Sequence, residues 1–126
     1  MARRLIAGQR VGRLESEVLD RLWQVRTPVS GRELASLLSP PERAYTTIMT
    51  ILSRLMAKGL VKRELIDGTY RYRAAGTPEE LAAQAIERLV ASVTDRGAVL
   101  AHFVGSIEDP SLIDDLRSAL EQLGPK

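Results

Sequence analysis

Three helix-spaced segments before residue 60, a hairpin signal at Asp67-Gly68 and three further helical segments predict a mainly α fold with a small β-wing. In chain order these elements make a winged helix-turn-helix over residues 1–76, followed by a three-helix dimerisation region over 77–126.

Leu14, Val18, Leu19, Leu22 and Trp23 share one helical face, so residues 13–25 read as an amphipathic helix. Thr27-Pro28 ends it, because proline disfavours helical geometry in the residue before it. Ser30 opens a second helix, and Glu33 completes a capping box that satisfies two free amides. Leu34, Leu37 and Leu38 give that helix its buried side. "SPPER", residues 39–43, is a loop, since successive prolines cannot continue a helix.

The third helix is "YTTIMTILSRLMAK". Ile48, Ile51, Leu52 and Leu55 cluster on one side, with Tyr45 and Met56 at the margin. Thr46, Thr50 and Ser53 lie opposite, flanked by Thr47 and Arg54. Gly59 suits a left-handed helix end. "LVKREL" and "TYRYR" then read as strands around a turn at Ile66-Asp67-Gly68. Alternation puts Tyr70 and Tyr72 on one face, Arg71 and Arg73 on the other. The expected core holds Trp23, the leucines and isoleucines, and one or both of these tyrosines.

A boundary is expected near Ala74-Ala75-Gly76. Thr77 caps a new helix, with Pro78 at its first position and acids in the first turn. Leu81, Ala85, Ile86, Leu89, Val90 and Val93 carry it to about Thr94. Val99, Leu100, Phe103, Val104 and Ile107 mark a second segment. Asp109-Pro110 starts a third, with Leu112, Ile113, Leu116, Leu120 and Leu123 at helical spacing. A tail this small buries too little surface to be stable by itself. A homodimer is therefore expected, with Leu89, Val93, Leu100, Phe103, Val104, Leu112, Leu116 and Leu120 at the interface. Closure of these positions onto the same chain is the alternative.

The overall charge of +2 conceals an asymmetry. Through Gly76 there are 14 Lys and Arg against 7 Asp and Glu, a balance of +7; beyond it, 4 against 9, a balance of −5. A basic first half suits a polyanionic partner. With no cysteine, disulfides, thiol catalysis and Cys-based metal sites are excluded. No run approaches the roughly 18 apolar residues of a membrane span, and the start lacks a secretory apolar stretch. The expected compartment is the cytoplasm, without membrane attachment. No catalytic constellation, cofactor motif or metal spacing is visible, so the chain reads as a non-enzyme.

Three threonines and a serine within eight residues are unexpected on a solvated helix, because threonine is a poor helix former. In a helix-turn-helix the helix after the turn lies in the major groove of double-stranded DNA. Small hydroxyl side chains admit close approach there, and a threonine methyl can meet the thymine methyl. The expected DNA-binding set is Arg43, Tyr45, Thr46, Thr47, Thr50, Ser53 and Arg54. Lys62, Arg63, Arg71 and Arg73 join it as phosphate contacts from the wing. Two rivals stand beside this: a winged helix used for protein–protein contact, and a DNA-binding regulator induced by a small ligand between wing and tail.

"GRLESEVLDRLW", "RAYTTIMTILSRLMAKGLVKREL", "GTYRYR" and "VLAHFVGSI" together resemble the penicillinase repressor family, of the BlaI/MecI type. The likeness covers nearly the whole chain. It implies a dimeric repressor on dyad-symmetric operators, often upstream of its own gene and, in many members, of β-lactam resistance genes. It also implies a possible partner, a sensor protease that cuts the tail before a phenylalanine. The bond carried over is His102-Phe103, where the family typically has Asn-Phe. The copper-responsive branch ends in paired cysteines, which this chain lacks. From its apolar neighbours, His102 itself reads as a structural interface residue, with no partners for a metal or a pH switch.

Overall fold

The computed structural model describes residues 4–38 and 45–124. Its first element is one the sequence did not announce: strands β1 (Arg4–Ile6) and β2 (Gln9–Val11) pair antiparallel as a short hairpin. Ala7 and Gly8 both take positive φ, 52° and 75°, the geometry of a tight two-residue hairpin turn. Ile6 and Val11 bury their side chains in the core, which fastens the hairpin to the domain.

Helix α1 (Arg13–Val25) has the expected bounds and buries Val18, Leu19 and Leu22. Its stop comes earlier than the proline requires. Arg26 adopts the left-handed conformation at φ 61° and donates its N–H to the Leu22 carbonyl at 3.3 Å. Trp23 is half-buried at the core edge, its Nε1 donating to the Gly76 carbonyl at 2.9 Å.

Strand β3 (Val29–Ser30) leads into α2 (Gly31–Leu37). The predicted capping box is present. The Ser30 hydroxyl accepts from the Glu33 amide at 3.1 Å, and Glu33 Oε1 accepts from the Ser30 amide at 2.9 Å. The loop expected at 39–43 lies outside the described residues. Helix α3 (Tyr45–Ala57) buries Ile48, Ile51, Leu52 and Leu55. Gly59, at φ 76°, turns the chain out of it, and the Leu60 amide reaches back to the Leu55 carbonyl at 3.0 Å.

Strands β4 (Val61–Ile66) and β5 (Thr69–Ala74) form the wing. Ile66 belongs to the strand, so the turn is Asp67-Gly68 alone, again with both φ positive. The short β3 adds to the other edge of β5, giving the sheet order β3-β5-β4. Tyr72 is buried, whereas Tyr70, further towards the hairpin tip, stays 47% exposed.

Helices α4 (Pro78–Ala91), α5 (Arg96–Ser106) and α6 (Pro110–Leu123) follow. Thr77 and Glu80 form the capping box of α4, and Asp95 and Asp109 cap the other two. Helix α4 ends at Ala91, short of Thr94. The chain divides into two compact units, Met1–Ala85 and Ile86–Lys126. That division falls inside α4 instead of at Gly76, because Leu81, only 2% exposed, joins the core of the first unit. In the second unit no described side chain is buried; Leu89 is 69% and Leu120 67% exposed.

Candidate nucleic-acid interface

Burying Ile48, Ile51, Leu52 and Leu55 forces the opposite face of α3 outward. Thr46, Thr47, Thr50, Ser53 and Arg54 are all exposed along it. The Thr50 hydroxyl donates to the Thr46 carbonyl at 3.0 Å, one turn back. That bond occupies the donor and leaves the γ-methyl and an oxygen lone pair as its outward chemistry. Arg43 lies outside the described residues. Tyr45 is 40% exposed, and its ring carries the Arg32 guanidinium 4.7 Å from its centroid.

The wing cations divide into two sets. Lys62, Arg71 and Arg73 share one face of the hairpin with Glu64, by the register Lys62↔Arg73 and Glu64↔Arg71. There Arg71 meets Glu33 of α2 at 2.6 Å, and Arg73 meets Glu64 at 2.6 Å. The Ser30 amide above all, then the Ser30 hydroxyl and the Arg71 charge, hold the Glu33 carboxyl below the usual carboxylate range. Arg63 lies on the other face, with the tyrosines, its guanidinium 4.1 Å from the Tyr70 ring centroid. The alternation that separates Arg71 and Arg73 from Tyr70 thus places Arg63 beside that tyrosine.

Behind α3, Lys58 ties three elements together. Its Nζ donates to Glu15 Oε2 at 2.7 Å and to the Arg10 carbonyl at 3.0 Å, while its own carbonyl accepts from Gln9 Nε2 at 2.8 Å. Burial pushes the Glu15 carboxyl up. The bonds from Lys58 and the Gly12 amide, with the charges of Lys58 and Arg54, outweigh that and hold it below its ordinary value. Neither this pair nor Arg32 carried a sequence signal, because their partners lie far off along the chain.

In the second unit Leu89, Val93, Leu100, Phe103, Val104, Leu112 and Leu120 are exposed, and Leu116 is half-buried. His102 and Phe103 sit within α5, both exposed. No helix among the described residues is long and apolar enough to cross a membrane.

A core-backed helix with a small polar outer face, set beside a basic two-stranded wing, defines a winged helix-turn-helix DNA-binding protein. The sequence model of the Penicillinase repressor family matches residues 11–122, and the chain belongs to that family of transcriptional repressors. The role is regulatory, not catalytic. Transcriptional regulator BlaI of Mycobacterium tuberculosis, from strains CDC 1551 / Oshkosh and ATCC 25618 / H37Rv, is 37% identical over 118 residues. That alignment spans 90% of this chain and 85% of the relative. Among solved structures, the ST1889 protein of Sulfolobus tokodaii aligns with a TM-score of 0.49 and 22% identity, over 66% of this chain and 85% of that one. The MepR–DNA complex of S. aureus aligns with a TM-score of 0.48 and 13% identity, over 90% and 76%.

Proposed function

We propose that the protein represses transcription in the cytoplasm as a homodimer seated on a dyad-symmetric operator. The observation that carries this is the exposed stripe Thr46, Thr47, Thr50, Ser53 and Arg54, backed by a fully packed opposite face of α3. A rigid helix with small side chains enters the major groove and brings its methyls and hydroxyls to base edges. Arg43 and Tyr45 anchor its amino end to the backbone, and Lys62, Arg63, Arg71 and Arg73 meet phosphates from the wing. Arg71 and Arg73 exchange Glu33 and Glu64 for phosphate as the duplex arrives. The exposed leucines of α4–α6 supply the dimer contact, and a two-fold protein reads two half-sites in register.

Operators upstream of its own gene and of β-lactam-resistance-type genes are the proposed targets. Selection of bound fragments from the host genome, followed by gel shift at several salt concentrations, tests both operator and symmetry. Recovery of a repeated dyad is the expected result; fragments without common sequence would refute sequence-specific repression.

Scission of His102-Phe103 by a sensor protease is the proposed inducing step. The bond lies inside α5, so cutting it requires that helix to open locally. Mass spectrometry of the repressor from induced cells should show a fragment ending at His102. Intact chain during full derepression rules the step out.

A further inference from the structure

We propose that Arg32 and Arg63 form a clamp for the sugar-phosphate backbone of one DNA strand, each guanidinium held by stacking on a tyrosine. The proposal rests on the DNA-docking reading above and adds Arg32, together with the roles of Tyr45 and Tyr70, to it. A single open groove of about 470 Å³ has Arg32, Tyr45 and Met49 among its lining on the helical side, with Arg63, Thr69 and Tyr70 on the wing side. The Arg32 guanidinium lies 4.7 Å from the Tyr45 centroid and that of Arg63 4.1 Å from the Tyr70 centroid. Both are inside the roughly 6 Å reach of a cation–π contact.

Stacking a guanidinium by its face leaves its edge free, because the N–H donors lie in its own plane. Among the described residues no carboxylate comes within ion-pair distance of either group, whereas Arg71 and Arg73 are already engaged by Glu33 and Glu64. The groove therefore presents two guanidiniums seated against tyrosine rings and without a carboxylate partner among the described residues. A phosphodiester, anionic and able to accept two parallel bonds from one fork, matches that chemistry. Position selects a DNA strand over a free phosphate. Tyr45 immediately precedes Thr46, so an occupant of the groove continues into a duplex lying along the α3 stripe. Holding the side chains on rings before the ligand arrives removes part of their ordering cost from binding. Gly31 makes room for this: a Cβ there would sit 2.8 Å from Met49 Sδ and 3.1 Å from Tyr45 Cε1.

The test uses the full-length protein and fluorescence anisotropy with two duplexes, a selected operator and a random sequence, across a salt series. Arg32→Ala and Arg63→Ala should each weaken binding to both duplexes about tenfold, as loss of a charge-assisted hydrogen bond does. Each should also flatten the slope of log affinity against log salt by about 0.9, the loss of one phosphate contact. Arg32→Lys and Arg63→Lys should fail to restore affinity, since an ammonium has no planar fork. Tyr70→Leu should weaken binding without removing a charge, and Tyr70→Phe should not. Lysine variants equal to wild type would mean diffuse attraction and overturn the clamp. Unchanged affinity and slope in the alanine variants, while Arg54→Ala still weakens operator binding, overturns the clamp and leaves the docking intact. A wild-type protein that binds both duplexes equally overturns sequence-specific docking and leaves the clamp to be judged by its variants; one that binds neither duplex overturns both.

Discussion

Lys58 Nζ sits 2.7 Å from Glu15 Oε2, joining the residue after α3 to the first turn of α1. The carboxylate is nearly buried, and the ammonium side chain keeps 29% exposure. Replacing Glu15 with alanine leaves that ammonium with the Arg10 carbonyl alone. The expected cost is about 2 kcal/mol, below the usual range for halving a buried pair because Lys58 retains water. Urea unfolding measures it. A change below a few tenths would show that the pair does not hold the end of α3.

The same pair sets a pH dependence. The folded-state carboxyl of Glu15 is more acidic than its ordinary value of 4.5. Its contribution is therefore complete above that value and is lost as pH falls through the lower, folded one. Wild type should lose stability below about pH 4.5 faster than Glu15→Gln does, so the two unfolding free energies converge in acid. Parallel curves down to pH 2.5 or so would contradict the linkage.

Thr50 offers a test at the level of single atoms. Its hydroxyl proton is given to the Thr46 carbonyl at 3.0 Å, so the methyl and an oxygen lone pair remain for the proposed base contact, and the methyl is the expected one. Thr50→Val keeps that methyl and should retain operator affinity within about threefold. Thr50→Ser removes it and should lose about fourfold, the equivalent of one buried methylene-sized group. The reverse order would assign the contact to the hydroxyl.

How much of this was legible in the sequence depended on the range of the cause. The capping box at Ser30 and Glu33, the hydroxyl stripe of α3 and the Asp67-Gly68 turn are local patterns. The first two stand as the sequence reads, and the turn is one residue shorter than expected, because Ile66 pairs with Thr69 in the ladder. The β1–β2 hairpin escaped because its strands are three residues each and its turn begins with Ala7, a residue that rarely takes positive φ. Strand β3 is too short to alternate, and only its pairing of Val29 with Tyr72 reveals it. The Glu15–Lys58 pair and the Arg32–Tyr45 stack join distant positions, so no spacing rule points to them. The boundary expected near Ala74-Ala75-Gly76 follows the helix restart at Thr77-Pro78; the division between compact units falls within α4, where Leu81 packs into the first unit's core.

Trp23, the only tryptophan, donates from Nε1 to the Gly76 carbonyl at 2.9 Å, just before α4 begins. Trp23→Phe keeps the ring contact and removes the donor. It should cost about 1 kcal/mol, the typical net value of one hydrogen bond, visible as a shifted denaturation midpoint with unchanged slope. In wild type, the fluorescence of this residue reports on the same junction. An unshifted midpoint would mean that the carbonyl finds water as readily as the indole.

The exposed leucines of the second unit carry the last prediction. Leu89 and Leu120 are 69% and 67% exposed, although both fall on the apolar sides of amphipathic helices. An isolated unit with no buried side chain among its described residues has little hydrophobic energy of its own. Its stability is expected to come from a second copy and so to depend on protein concentration. Leu89→Asp with Leu120→Asp places carboxylates where apolar surfaces meet, and should yield monomers by analytical ultracentrifugation. Operator affinity should fall with the loss of two-site binding, while the first unit keeps its own cooperative melt. A dimer that survives both substitutions would place the interface on other residues of α4–α6 or on the winged-helix unit.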